Sequence, residues 1–388
     1  MKISGIKALV GTAAIALTFS LTSVQAKEKV EVAFIGPLTG GVAANGIGGR
    51  NSAELAVSLR NKDPDAKYEY ELQVLDSECK PNVGVLVATK VAADRKVIAA
   101  ATHYCSAVAM ATVDVYHRFN LPIVVWGAVL PDVTYGNKYP EVHRVNGTMI
   151  NQNETAAKFM IGKGYENWVN IHDTTDYGKG HNKYFSKFLT ENGGKILATF
   201  GVSANQQDFT AELTQAKALD PEVIYFGGLS PLGVRIRRQM EKLGINAQFE
   251  GTSGIISDAY LDGLGDLAEG TVAFLEGAPV DKLPGGRFFK ENYEAAGYSD
   301  PAEAYGPFAF AAMDLILDTI EEVGPDRRKV LDALAKVEGH DSIIGKISFD
   351  EYGQNTIAQI TKYVAQDGEW VVWEDSKYAT EERSLVGL

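Results

Sequence analysis

Short apolar runs of strand length alternate with helix-spaced segments along almost the whole chain, and that alternation leaves few folds open. Residues 30–35 form an apolar run that ends in Gly36-Pro37. Residues 48–60 then carry Ala53, Ala56, Val57 and Leu59 at helical spacing. The unit repeats, with strands expected over 71–75, 97–101 and 121–126 and helices over 83–93 and 107–117. A second set begins after Asn146-Gly147. Its strands fall at 168–171, 196–200, 223–226 and 272–275, with helices through Phe188 and over 211–218 and 232–243. Longer helices at 288–296, 308–323 and 329–337 and strands at 360–364 and 370–373 close the chain. Near-continuous apolar strands between helices predict an α/β fold with parallel sheets covered on both faces. Two doubly wound, Rossmann-like units of similar size follow one another. No linker is long or rich enough in Pro, Gly and Ser to be a flexible tether, so several short crossings are expected to join two lobes around a cleft.

The N-terminus bears on compartment. Lys2 and Lys7 precede an apolar stretch over about residues 8–21, and Val24-Gln25-Ala26 offers the small residues a signal peptidase accepts. A cleaved signal peptide over 1–26 is therefore expected, with export to the periplasm. The stretch is short for a membrane span, and no Cys follows the cut to carry a lipid. Removing Lys2 and Lys7 takes the formal charge from −13 to −15, which argues against nucleic acid and anionic membranes as partners. Cys79 and Cys105 are the only cysteines. An even count in an oxidising compartment reads as one disulfide, with two free thiols or a catalytic Cys as rival readings.

No catalytic constellation stands out. The six histidines (His103, His117, His143, His172, His181, His340) are scattered, with no His-Glu-x-x-His pair and no cysteine pair at zinc spacing. There is no Gly-x-Ser-x-Gly elbow. The glycines between Gly36 and Gly49 lack dinucleotide spacing, and no Walker Lys-Ser/Thr is present. The expectation is a non-enzyme with no metal and no cofactor.

Several fragments in order are distinctive together. Phe34-Ile35-Gly36-Pro37-Leu38-Thr39-Gly40 opens the series, followed by Cys79, Cys105 and Ser106. His172-Asp173-Thr174-Thr175-Asp176-Tyr177-Gly178-Lys179-Gly180, Gly227-Gly228-Leu229 and Phe249-Glu250-Gly251 come later. Over nearly the whole mature chain this resembles the periplasmic branched-chain amino-acid binding proteins, the type I solute-binding proteins of ABC transporters. The resemblance implies two lobes with three crossings, near 146–149, 276–279 and 346–349. It places lobe 1 at 27–146 plus 279–347 and lobe 2 at 147–278 plus 348–388. It also implies a monomer that binds a small molecule and docks on an ABC transporter permease.

The resemblance assigns site residues as well. Ser106 matches the residue that binds the ligand's carboxylate, although a Ser at a helix start is also an ordinary N-cap. Gly127 and Ala128 match the loop whose backbone faces the ligand, and Tyr177 matches a ring that closes over it. Departures are informative. The second-lobe carboxylate that pairs an α-ammonium stands here as Ser253, a first-lobe hydroxyl as Val129, a second-lobe Tyr as Leu229, a late-helix Tyr as Phe310 and an aromatic as Asn45. An ammonium buried without an acceptor costs several kcal/mol. The expected ligand is a carboxylate with an apolar or aromatic body and no free α-amine, with Trp126 and Phe310 available to stack on a ring. Glu250, close to Ser253, is the residue that would restore the missing charge, and His103 and Tyr104 are further candidates for the cleft. An α-amino-acid ligand is the first alternative. A soluble ligand sensor is the second, disfavoured because the chain ends in a polar tail at Leu388.

Overall fold

The computed structural model describes residues 27–356 and 359–388; the expected signal peptide lies outside them. Five strands build the first sheet: β1 (Glu28–Gly36), β2 (Tyr68–Asp76), β3 (Val97–Thr102), β4 (Ile123–Val125) and β5 (Val142–Arg144). They are all parallel, in the order β2-β1-β3-β4-β5. Helices α1 (Ala43–Lys62), α2 (Pro81–Ala93), α3 (Ser106–Phe119) and the single turn α4 (Asp132–Tyr135) alternate with them. Every residue of β3, β4 and β5 is buried, as expected of strands covered on both faces.

The chain then passes to a second sheet. Helix α5 (Met149–Gly162) is capped by Thr148, whose Oγ1 accepts the Ile150 N–H. The βα repeat continues through β6 (Asn167–Asp173), α6 (Asp176–Glu191), β7 (Lys195–Val202), α7 (Thr210–Ala218), β8 (Val223–Gly227), α8 (Ser230–Leu243), β9 (Gln248–Gly251), α9 (Asp258–Leu264) and β10 (Val272–Glu276). After Glu276 the chain returns to the first body with α10 (Gly286–Ala296), α11 (Gly306–Val323) and α12 (Arg327–Leu334). Helix α11 packs on α1, β3 and β4 and so completes the cover of the first sheet. A small hairpin, β11 (His340–Ser342) and β12 (Gly345–Ile347), precedes the last passage. Strands β13 (Ile360–Gln366) and β14 (Glu369–Val372) finally join the second sheet, giving the order β14-β13-β10-β9-β8-β6-β7. Both added strands are antiparallel to their neighbours.

The passages lie side by side. Arg144 bridges Gln354 in parallel fashion, and the Arg144 Nε donates to Gln354 Oε1 at 2.6 Å. Gln354 and Asn355 donate in turn to the carbonyls of Asn146 and Val145. The first and third passages are therefore bonded to each other through buried polar groups.

Candidate functional site

A cavity of about 300 Å³ opens where loops at the carboxyl ends of both sets of strands meet. Such ends are where open parallel sheets bind ligands. From the first body come Cys79, Pro81, the 104–107 segment, Gly127 and Tyr305; from the second come residues 174–177, Leu229 and Ser253. Five helices begin at or beside these residues: α2 at Pro81, α3 at Ser106, α6 at Asp176, α8 just after Leu229 and α11 just after Tyr305. Amides in the first turn of a helix lack intrahelical acceptors, and the helix dipole favours negative charge there.

Ser106 is the most informative side chain. It is the first residue of α3, and its hydroxyl caps nothing in its own helix. Instead Oγ accepts the backbone N–H groups of Val129 (3.2 Å) and Leu130 (3.3 Å). With both lone pairs occupied, the hydroxyl proton is left to donate toward the cavity. The loop that supplies those amides is held by Arg144, which is fully buried. Its Nη1 donates to the carbonyls of Ala128 (3.0 Å) and Leu130 (2.6 Å), and its Nη2 donates to Thr134 Oγ1. None of these partners is a carboxylate, and burial lowers the guanidinium to about 10.

Three tyrosines line the cavity: Tyr104, Tyr177 and Tyr305. The Tyr177 Oη accepts the Gly254 N–H at 2.9 Å and lies 2.9 Å from Thr252 Oγ1. Thr252 Oγ1 donates to the Gly228 carbonyl, so Tyr177 is the donor to Thr252. Its proton and acceptor position are engaged within the second body. Tyr305 packs edge-on against Tyr104 with centroids 5.5 Å apart, and its Oη donates to Glu276 Oε2 at 2.8 Å.

The family model described as periplasmic binding protein matches residues 29–369. The chain belongs to the periplasmic binding protein family. A Leu/Ile/Val-binding protein from Rhizobium johnstonii is 30% identical over 375 residues, covering 95% of this chain and 100% of that one. The structure of a leucine binding protein from Thermotoga maritima superposes with a TM-score of 0.81 at 25% identity, over 88% of this chain and 97% of that one. A solute binding protein of an R. palustris ABC transporter, solved in complex with benzoate, gives a TM-score of 0.79 at 19% identity, over 89% and 95%.

In this periplasmic binding protein the structure brings together Ser106, Gly127, Tyr177, Leu229 and Ser253 of the residues expected from sequence. Cys79 and Cys105 form a disulfide at the cavity wall. Ala128 and Val129 lie just behind that wall, their backbone occupied by Arg144, Met149 and Ser106. Trp126 does not line the cavity. It stacks on Phe34 at 5.3 Å beneath Tyr104, and a Cβ at Gly49 would fall 2.7 Å from its ring. Phe310 packs inward against Phe288 and Phe289, because the phase of α11 turns it away. The aromatic that α11 presents is Tyr305. Asn45 is buried in α1, off the cavity wall, with no partner for its Oδ1 among the described residues. His103 is likewise buried, bonded to Tyr116 Oη at 2.6 Å and held neutral by burial, at about 3.

Glu250 is not among the residues that line the cavity. It is buried beside Trp168, whose Nε1 donates to it at 3.2 Å, and burial pushes its carboxyl far up. The carboxylate at the cavity is Asp176, an exposed residue in the first turn of α6. Sequence reasoning missed Tyr305, Arg144 and Glu276. Among the described residues no cluster of His, Cys, Asp and Glu suits a metal ion, and no helix is long and apolar enough to cross a membrane.

Proposed function

We propose that this protein is a non-catalytic periplasmic receptor that closes on a small carboxylate with an apolar or aromatic body and no free α-amine, and hands it to an ABC importer. The observation that carries the reading is Ser106, with its lone pairs filled by Val129 and Leu130 and its proton free at the start of α3. A hydroxyl donor beside first-turn amides is a carboxylate cradle. The rings of Tyr104, Tyr177 and Tyr305 suit an apolar or planar body. Ser253 offers a hydroxyl where an ammonium would need an anion, and Glu250 is turned to Trp168.

A second reading, an α-amino-acid ligand, is favoured by Asp176 at the cavity and by the printed names of the Rhizobium and Thermotoga relatives. A thermal-shift screen of the mature chain separates the two. Ligands that bind only the native state raise its melting temperature by mass action. The panel sets leucine and phenylalanine against their 2-oxo acids and benzoate, the molecule held by the R. palustris protein. Shifts with amine-free acids alone are expected. A shift with leucine sinks the proposal and makes Asp176 the ammonium partner.

A further inference from the structure

Glu276 ends β10 at the point where the chain leaves the second sheet, and it is almost fully buried. Both carboxyl oxygens are occupied. Oε1 accepts Gln152 Nε2 at 2.6 Å, and Oε2 accepts the Tyr305 hydroxyl at 2.8 Å. Gln152 comes from α5, and its own Oε1 accepts the backbone N–H of Ser253, a cavity residue, at 3.4 Å. An ionised carboxylate is acceptor-only. Tyr305, a residue of the cavity wall, therefore must give it the phenolic proton, and its Oη keeps only lone pairs, shared between the neighbouring Ser253 hydroxyl and a ligand. Tyr177 differs, because its Oη is saturated within its own body by Thr252 and Gly254.

We propose that Glu276 is a positioning residue that sets ligand specificity: by holding the proton of Tyr305 it makes that wall an acceptor, so the site selects carboxylates bearing a hydroxyl. The inference rests on the carboxylate reading above and names the further group that such a ligand carries. A cavity wall that needs a donor discriminates strongly against an analogue lacking one, because the buried acceptor then goes unpaired.

The same geometry makes the selection depend on pH. The groups facing Glu276 are Gln152 from α5, Tyr305 at the start of α11, Arg144 from β5, Tyr177 from α6 and Tyr104 from the loop after β3. Burial raises its carboxyl to about 7, against the bonds from Tyr305 and Gln152 and the field of Arg144. Once protonated, Glu276 becomes a donor to Tyr305 Oη, and the phenolic proton turns to the cavity. The wall changes from acceptor to donor as pH falls, and the preference for a ligand hydroxyl falls with it.

The test is calorimetric titration of the full mature chain with benzoate, the hydroxybenzoates and their methoxy counterparts at pH 6 and pH 8. At least one hydroxy acid is expected to bind about tenfold or more tightly than its methoxy counterpart at pH 8, with the ratio shrinking several-fold at pH 6. Tyr305→Phe should bring the ratio toward one at both pH values. Glu276→Gln should remove its pH dependence. Circular dichroism reports whether each variant folds, and either variant suffices. A ratio near one in the wild type, or a Glu276→Gln protein that binds all these acids more weakly while keeping ratio and pH profile, overturns the inference while leaving the carboxylate reading standing. Binding of leucine with no aromatic acid bound removes that reading, and this inference with it.

Discussion

Ser106 and Tyr177 both carry hydroxyls at the cavity, yet they do opposite things, because their neighbours occupy different parts of them. The two N–H groups of Val129 and Leu130 fill the lone pairs of Ser106 and leave its proton. Thr252 and Gly254 take both capacities of Tyr177. Ser106→Ala leaves two loop amides unpaired and, on the carboxylate reading proposed above, removes a charge-assisted bond, so it should weaken carboxylate binding by about 1.5–3 kcal/mol, roughly 10- to 100-fold. Titration calorimetry reads this directly; unchanged affinity would place the carboxylate elsewhere. Ser106 was legible in the sequence because it follows Cys105. Tyr305 was not: two aromatics five residues apart at the start of one helix cannot be told apart without its phase, and Phe310 was the expected one. Glu276 was hidden for a different reason. All five residues of β10 are buried, so no alternation sets its last residue apart.

At the level of elements, the Cys79–Cys105 bond ties the segment before α2 to the start of α3, and both helices begin at the cavity. It closes a loop of 26 residues' separation, for which chain entropy gives about 3–4 kcal/mol. Replacing both cysteines by Ser should lower unfolding free energy by about that amount in urea titration and loosen the Ser106 amides, weakening ligand binding several-fold. Loss of stability without loss of affinity would separate the bond from the site. Most strands were readable as apolar runs. Strand β5 was not, because its three residues include His143 and Arg144, buried for the passage and not for a core. Strands β13 and β14 were read without direction, although Asp367 and Gly368 between them both have positive φ, as a tight hairpin turn requires.

For the whole molecule, the two bodies touch as well as share a cavity. A Cβ on Gly41, in the loop before α1, would come within 2.7 Å of Pro231 at the start of α8. Gly41→Val should obstruct that approach and weaken ligand binding about tenfold, since overpacking costs about 1–3 kcal/mol. The melting temperature without ligand should hardly change. Small-angle scattering with saturating ligand should then show less compaction than in the wild type, and equal compaction and affinity would mean the bodies do not close along this contact. A ligand drives closure only as far as it prefers the closed form. The alternation of strands and helices announced two doubly wound units, but not how they meet, because contacts between bodies involve single residues with no periodicity.

The route of the chain also dictates an order of assembly. Helix α11, which shelters β3 and β4, begins at Gly306, after the second sheet has been traced as far as β10. During synthesis the first five strands emerge early and wait, one part of their surface uncovered, until that helix arrives. Such a long-range closure is slow. The N-terminal body is therefore completed only by residues made after the second sheet has been traced as far as β10.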